Sequence, residues 1–351
     1  MRFAFLTSTP LSATEGSGTF VGLDTLAAGL TAAGHEVLIR PLRIRTRFHT
    51  LDRYLYNVGV AWAPPVADVV VGVDLDGFLL ARGRSGRYVV SLKGIIADEL
   101  QHERGLTRVL LRRQARWERL NVARADRVIV PSDYSAWVAH REYGVPRDRV
   151  AVVPEPIDLG EWTRRFSAVE RRPSDRPVVL SVARMYPRKR FGDLLGAARL
   201  LRDRIPGVQV RVVGSGPEWG RVRALREALG LGDTVVLLGE VSRSRLAAEY
   251  ASADCFCLPS VQEGFGIVFA EAMAAGLAVV ACRAAAVPEV VIDRRTGLLV
   301  NPGSPEELAM ALETLLTNQG LRKDLGEGGR EWVGRFARDR VATSFVEAAL
   351  G

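Results

Sequence analysis

Short Val/Ile/Leu-rich runs recur along the whole chain with longer stretches of helical period between them, and that alternation restricts it to parallel sheets with helices on both faces, an α/β architecture. In the first half the predicted strands are Arg2 to Ser8, Glu36 to Arg40, Ala67 to Val73, Arg87 to Leu92, Arg127 to Val130 and Arg149 to Val153. In the second half they are Pro177 to Ala183, Gln209 to Val213, Thr234 to Leu238, Ala253 to Leu258 and Ala278 to Cys282. The helix predicted between the first two strands, about Phe20 to Ala33, closes at Gly34 as a helix stop should. A later one carries a start signal, with Ser304 as N-cap, Pro305 at the first helical position and Glu307 completing a capping box.

The 351 residues suffice for two domains at about 100 to 200 residues each. Both periodicities lapse at Pro154-Glu155-Pro156-Ile157-Asp158 and in the charged segment that runs on to Pro177, which is the expected linker. The division is therefore residues 1–158 and 159–337, each a doubly wound Rossmann-like domain, with an amphipathic helix over 338–351 packing back on the first. Two such halves facing a central cleft would bind ligands between the carboxyl ends of their sheets.

A composition of 48% hydrophobic and 25% charged residues is that of a folded soluble protein and excludes disorder, a fibre or a coiled coil. Lys plus Arg, 48, exceeds Asp plus Glu, 40, by 8, so an anionic partner suits the chain: nucleic acid, phosphorylated ligand or anionic lipid. Only Lys93, Lys189 and Lys323 are lysines, against a background of arginine that singles each of them out. Cys255, Cys257 and Cys282 are odd in number and lie in apolar runs, which argues for a reducing compartment and against a disulfide framework or zinc site. The first residues lack a signal-peptide core, and Ile267 to Cys282 carries Glu271 and falls short of the roughly 20 residues of a membrane helix, so a cytoplasmic protein is expected. The segment Arg104 to Arg127, with Arg108, Arg112, Arg113, Arg116 and Arg119 around Val109, Leu110, Trp117 and Leu120, could lie peripherally on an anionic inner membrane face. A solvated helix packing an apolar stripe on the core is the alternative.

The most informative stretch is Leu258-Pro-Ser-Val-Gln-Glu263-Gly264-Phe265-Gly266-Ile267-Val268-Phe-Ala-Glu271-Ala-Met-Ala-Ala-Gly276. A strand ends at Pro259, a tight Gly-x-Gly loop follows, and a helix runs from near Ile267 to Gly276. The amides of Gly266, Ile267 and Val268 then form a helix N-terminus suited to a phosphate group. Glu263 lies before that terminus and Glu271 more than a turn inside it, too far apart for one proton transfer but placed to grip hydroxyls at two ends of an extended ligand. Ser181-Val-Ala-Arg184-Met-Tyr-Pro-Arg188-Lys189-Arg190 leaves the first strand of the second half and offers Arg184 and Lys189 to a dianion. Val213-Gly214-Ser215-Gly216-Pro217-Glu218 is another strand-to-helix turn, small enough for a flat base to approach the backbone.

Together these residues resemble the family 4 retaining glycosyltransferases of GT-B fold. The resemblance rests on the Glu-x7-Glu element with its Glu-Gly-Phe-Gly core, the Arg-x4-Lys element, the Gly-Ser-Gly-Pro turn, Gly34-His35-Glu36-Val37 and Gly297-Leu-Leu-Val-Asn-Pro. It implies a nucleotide-diphosphate sugar donor, an acceptor bound chiefly by the amino-terminal half, and transfer with retention of anomeric configuration. In that family the residue matching Glu263 contacts the donor sugar, that matching Glu271 the ribose, and those matching Arg184 and Lys189 the diphosphate, with no metal or other cofactor required. Gly16-Ser17-Gly18-Thr19 matches the loop that lies over the donor phosphate and acceptor. The chain departs from the pattern at three places: Lys93 in Ser91-Leu92-Lys93-Gly94 where many relatives carry histidine, Glu155-Pro156 in place of Asn-Gly, and Arg190 in place of a glycine. Lys93 could meet the transferred sugar or phosphate, or face solvent.

A Rossmann-type nucleotide- or dinucleotide-binding protein or oxidoreductase is the alternative, but neither glycine turn satisfies Gly-x-Gly-x-x-Gly directly after a strand with an acidic residue about 20 further on. Nucleic-acid binding is disfavoured because no aromatic-basic interleaving is visible. Asp74-Leu-Asp76 has the spacing of a divalent-metal motif and is weighed as a plain turn.

Overall fold

The computed structural model describes residues 1–11, 17–46, 48–80, 86–169 and 176–351. They form two units, Met1–Pro156 with Phe336–Gly351, and Ile157–Arg335. In the first, β1 (Arg2–Thr7), β2 (Glu36–Pro41), β3 (Val69–Val73), β4 (Arg87–Ser91), β5 (Arg127–Val130) and β6 (Val150–Val152) make one parallel sheet in the order β2-β1-β3-β4-β5-β6. The helices are α1 (Ser17–Ala32), α2 (His49–Trp62), α3 (Ile96–Glu99), α4 (Gly105–Arg124), α5 (Asp133–Tyr143) and the carboxyl-terminal α14 (Arg338–Leu350). Alternate strand residues face opposite layers. Phe3, Phe5, Val69, Val71 and Val73 pack under α1 and α14 through Leu23, Leu26, Val341 and Phe345. Leu6, Val70, Val90 and Val128 pack against Tyr56, Val122 and Val138 on the other side.

The second unit begins with α6 (Leu159–Ser167) and continues through β7 (Val178–Val182), α7 (Phe191–Arg204), β8 (Gln209–Val213), α8 (Trp219–Ala228), β9 (Val235–Gly239) and α9 (Arg243–Ser252). It is completed by β10 (Cys255–Leu258), α10 (Ile267–Ala274), β11 (Ala278–Cys282), α11 (Val287–Val290), β12 (Gly297–Val300), α12 (Pro305–Thr317) and α13 (Gln319–Val333). Its strands are parallel in the order β12-β11-β10-β7-β8-β9. Counted from the unit's own first strand this is 3-2-1-4-5-6 read from the other edge, the Rossmann order, with its reversal between β7 and β10.

Three local expectations change. Gly297-Leu-Leu-Val is a sixth strand beside β11, led by a glycine that keeps it from standing out as a run of β-branched residues. The segment after Asp158 is not all linker: Asp158 accepts from the Glu161 amide at 2.8 Å and starts α6, whose single apolar face is Trp162 and Phe166, rings 5.3 Å apart. At α12 the Ser304 hydroxyl accepts from the Glu307 amide at 3.2 Å as expected, but the Glu307 carboxylate reaches back to the amide of Asn301, 2.9 Å, and not to that of Ser304. Among the described residues no helix is long and apolar enough to cross a membrane.

The Phe345 ring lies 6.4 Å from that of Phe3 and 5.9 Å from that of Phe5, fully buried under β1. Phe345→Ala is expected to cost about 3–5 kcal/mol in urea unfolding of the first unit, the usual effect of emptying a phenylalanine site.

Candidate functional site

β7 and β10 pair in parallel with Cys255 opposite Val179 and Phe256 opposite Leu180, so the loops that follow them leave the same sheet edge side by side. The loop after β7 closes in a 3₁₀ turn, Pro187–Lys189, and the amide of Val261 after β10 donates to the Arg188 carbonyl at 3.0 Å. That tie brings two predicted site residues together: Lys189 Nζ donates to Glu263 Oε1 at 2.5 Å, the two side chains only 12% and 9% exposed. Arg184 leaves the same strand, and its guanidinium lies 5.8 Å from the centre of the Tyr186 ring, which Arg188 also approaches at 4.6 Å. Arg190 adopts φ +55°, a left-handed conformation that suits glycine, and its guanidinium is held by Asp193 at 2.9 and 3.0 Å.

The second loop runs into α10 through Gly266 at φ +87°, with Phe265 buried and Gly266, Ile267 and Val268 partly accessible. The first amides of a helix have no intrahelical acceptor and carry the positive end of its dipole, so this terminus is suited to an anion. Glu271 lies one turn further on, 7% exposed, and accepts from the Tyr250 hydroxyl at 2.9 Å. Burial pushes its carboxyl up to about 7, against the lowering effects of the Tyr250 hydrogen bond and the Arg243 charge. Tyr250 is in turn fixed edge-on by Trp162 of α6 at 5.6 Å. Neither aromatic belongs to a motif, and nothing local in the sequence marks them.

Gly214 and Gly216 adopt φ +119° and +152°. A Cβ at Gly214 would come within 2.1 Å of the Ala183 carbonyl oxygen, and one at Gly216 within 2.7 Å of the Met185 amide nitrogen. These glycines therefore make room for the chain leaving β7, whose Met185 amide donates to the Ser215 carbonyl at 2.8 Å. Their first effect is to hold the Arg184 loop in place.

In the first unit Lys93 follows β4, and its amide donates to Asp74 Oδ1 at 2.8 Å. Its ammonium meets Glu155 Oε1 at 2.9 Å with the side chains 8% and 10% exposed, so the solvent-facing alternative for Lys93 is set aside. Gly18 lies in the first turn of α1 and not in a loop, and Gly16 lies outside the described residues. Asp74 and Asp76 do not form a joint ligand pair: Asp76 is fully buried and accepts from the Ser8 hydroxyl at 2.8 Å and the Asn57 amide at 3.0 Å. Burial pushes the Asp74 carboxyl up to about 6. Among the described residues no group of three His, Cys, Asp or Glu side chains could hold a metal ion.

Two doubly wound parallel sheets, one carrying a cation-carboxylate pair and a helix start at its switch point, are the architecture of a GT-B glycosyltransferase. Residues 163–332 match the family "Glycosyl transferases group 1" and residues 67–161 match "Glycosyltransferase Family 4". A GDP-mannose-dependent alpha-(1-6)-phosphatidylinositol monomannoside mannosyltransferase of Mycobacterium tuberculosis is 34% identical over 94% of this chain and 87% of its own. A D-inositol 3-phosphate glycosyltransferase of Segniliparus rotundus is 32% identical over 64% of this chain and 52% of its own. In fold the chain is similar to sucrose-phosphate synthase from Thermosynechococcus elongatus, with TM-score 0.80 and 22% identity over 99% of this chain and 97% of that one. The chain belongs to the family 4 glycosyltransferases.

Glu271 gives a pH prediction. Below the usual value of 4.5 its carboxyl is protonated folded or unfolded, whereas between 4.5 and about 7 only the unfolded chain ionises it, so stability is lost as pH rises through that window. Glu271→Gln should therefore stabilise the second unit at pH 8, by up to about 3 kcal/mol, and make no difference near pH 4. Urea titrations at the two pH values check this.

Proposed function

We propose that the protein transfers a sugar from a nucleotide-diphosphate donor, with retention at the anomeric carbon, and that the second unit holds the donor. The observation that carries this reading is the Lys189–Glu263 pair beside the start of α10 at the β7/β10 switch point. Breaking the glycosidic bond leaves negative charge on the diphosphate. Lys189, Arg184 and the first amides of α10 supply preorganised positive charge for it, which is the main source of rate in such a step and needs no metal. Glu263 takes hydroxyls of the donor sugar and Glu271 those of the ribose. GDP-mannose is the first donor to test, from the relative that spans most of this chain. Two relatives act on inositol-bearing anions, a phosphatidylinositol mannoside and an inositol phosphate, and an inositol phosphate group is the acceptor chemistry proposed for the first unit.

Lys189→Met should lower turnover on the order of 100-fold, the loss seen when one oxyanion donor is removed, with folding checked by thermal unfolding. Near-normal turnover would remove Lys189 from the reaction. A chelator should leave the wild-type rate unchanged.

The first unit also supports peripheral contact with an anionic membrane from the cytoplasmic side. On α4, Leu106, Val109, Leu110 and Leu120 are exposed among the exposed Arg108, Arg112, Arg113, Arg116 and Arg119. Trp117 is not part of this face, since it stacks on Phe78 at 5.3 Å. Sedimentation with phosphatidylglycerol vesicles should occur at low salt and weaken as salt rises. Binding that ignores salt would rule out the electrostatic mode.

A further inference from the structure

Two of the three places where the sequence departs from its family's pattern, Lys93 and Glu155, are each other's partners. The residues are 62 apart in sequence. In the sheet, β5 lies between β4 and β6, so their exits stand about 10 Å apart at the usual strand spacing. Lys93 spans the carboxyl end of β5 at Val130 and Pro131 to reach Glu155, and all four residues line one small cavity. Both carboxylate oxygens take part, at 2.9 and 3.0 Å from Nζ. An ion pair this buried adds little stability over an apolar pair of the same volume. Its surroundings are nonetheless built to keep it. Glu155 stands between Pro154 and Pro156, which restrict the backbone on either side of it. Gly22 of α1 leaves the carboxylate its space, since a Cβ there would lie 2.1 Å from Glu155 Oε2. At the other end, Asp74 anchors the Lys93 amide.

We propose that Glu155 is the positioning residue for Lys93, holding its ammonium at the carboxyl edge of the first sheet, where it acts on the transferred group, and that Gly22 is part of the same device. The ammonium has three protons for the two oxygens of Glu155, which leaves a donor for a substrate hydroxyl or phosphate. This rests on the transfer reaction proposed above.

The test compares turnover at saturating donor with thermal stability. Glu155→Gln should lose at least about 10-fold in turnover, towards the ~100-fold that a 1 Å misplacement costs, with little change in the donor KM. Gly22→Ala, which keeps both charges and displaces the carboxylate, should show the same split, and Glu155→Asp should recover part of the rate. Lys93→Met and Lys93→Met/Glu155→Gln should be equally slow, because Glu155 acts only through Lys93. The exchange Lys93→Glu/Glu155→Lys should recover thermal stability relative to Glu155→Gln without recovering turnover. The proposal is overturned if Glu155→Gln, or Gly22→Ala should the former not fold, stays within about twofold of wild type. It is also overturned if the exchanged pair restores turnover along with stability, which would make the pair a structural brace. A wild type that turns over none of a panel of nucleotide-diphosphate sugars instead overturns the reaction on which the proposal stands.

Discussion

The parallel pairing of β7 with β10 is the contact on which the candidate site of the second unit depends. At that point the strand order reverses, so the connections from the two strands diverge and their exit loops are left adjacent at the carboxyl edge. The Arg-x4-Lys loop comes from one strand and the Glu-Gly-Phe-Gly loop from the other. A cation from the first loop meets there a carboxylate and a helix start from the second, 74 residues further along the chain. The glycines after β8 then fit against the β7 exit and leave the Arg184 loop little freedom.

Three acidic side chains of these sites are buried, and each has a specific partner: Glu263 with Lys189, Glu271 with Tyr250, and Glu155 with Lys93. A carboxylate taken out of water without a partner is strongly unfavourable, and one with a partner does little more than break even. Such pairs therefore contribute little to the stability of the fold. That stability comes from the apolar layers, where β1 and β3 are buried almost throughout under α1 and α14 on one face and α2, α4 and α5 on the other. The Glu271 carboxyl shows the cost of burial most plainly, because the loss of water around it raises it towards neutrality.

The α10 element was legible because all its parts are contiguous: a glycine at the start, an apolar run containing one acid, and a glycine at the stop. The same holds for the strands, whose runs of β-branched residues between helical stretches need no partner to be recognised. Tyr250 was not legible, since its bond to Glu271 joins two different helices, α9 and α10, whose side chains meet only in the folded unit. The strand Gly297–Val300 was hidden by the glycine that leads it, and α6 by an apolar face of only two aromatic side chains that becomes meaningful against Tyr250.

By itself the sequence determined the α/β class, the family and the helix start near Ile267, because these follow from local periodicity and from residues a few positions apart. Only the tertiary structure decided which charges meet. Lys189 and Glu263 are 74 residues apart and Lys93 and Glu155 are 62 apart. Which of many acids a lysine faces is set by strand order and by the length of the side chain that must cross from one strand exit to another, and neither is written in the spacing of the residues along the chain.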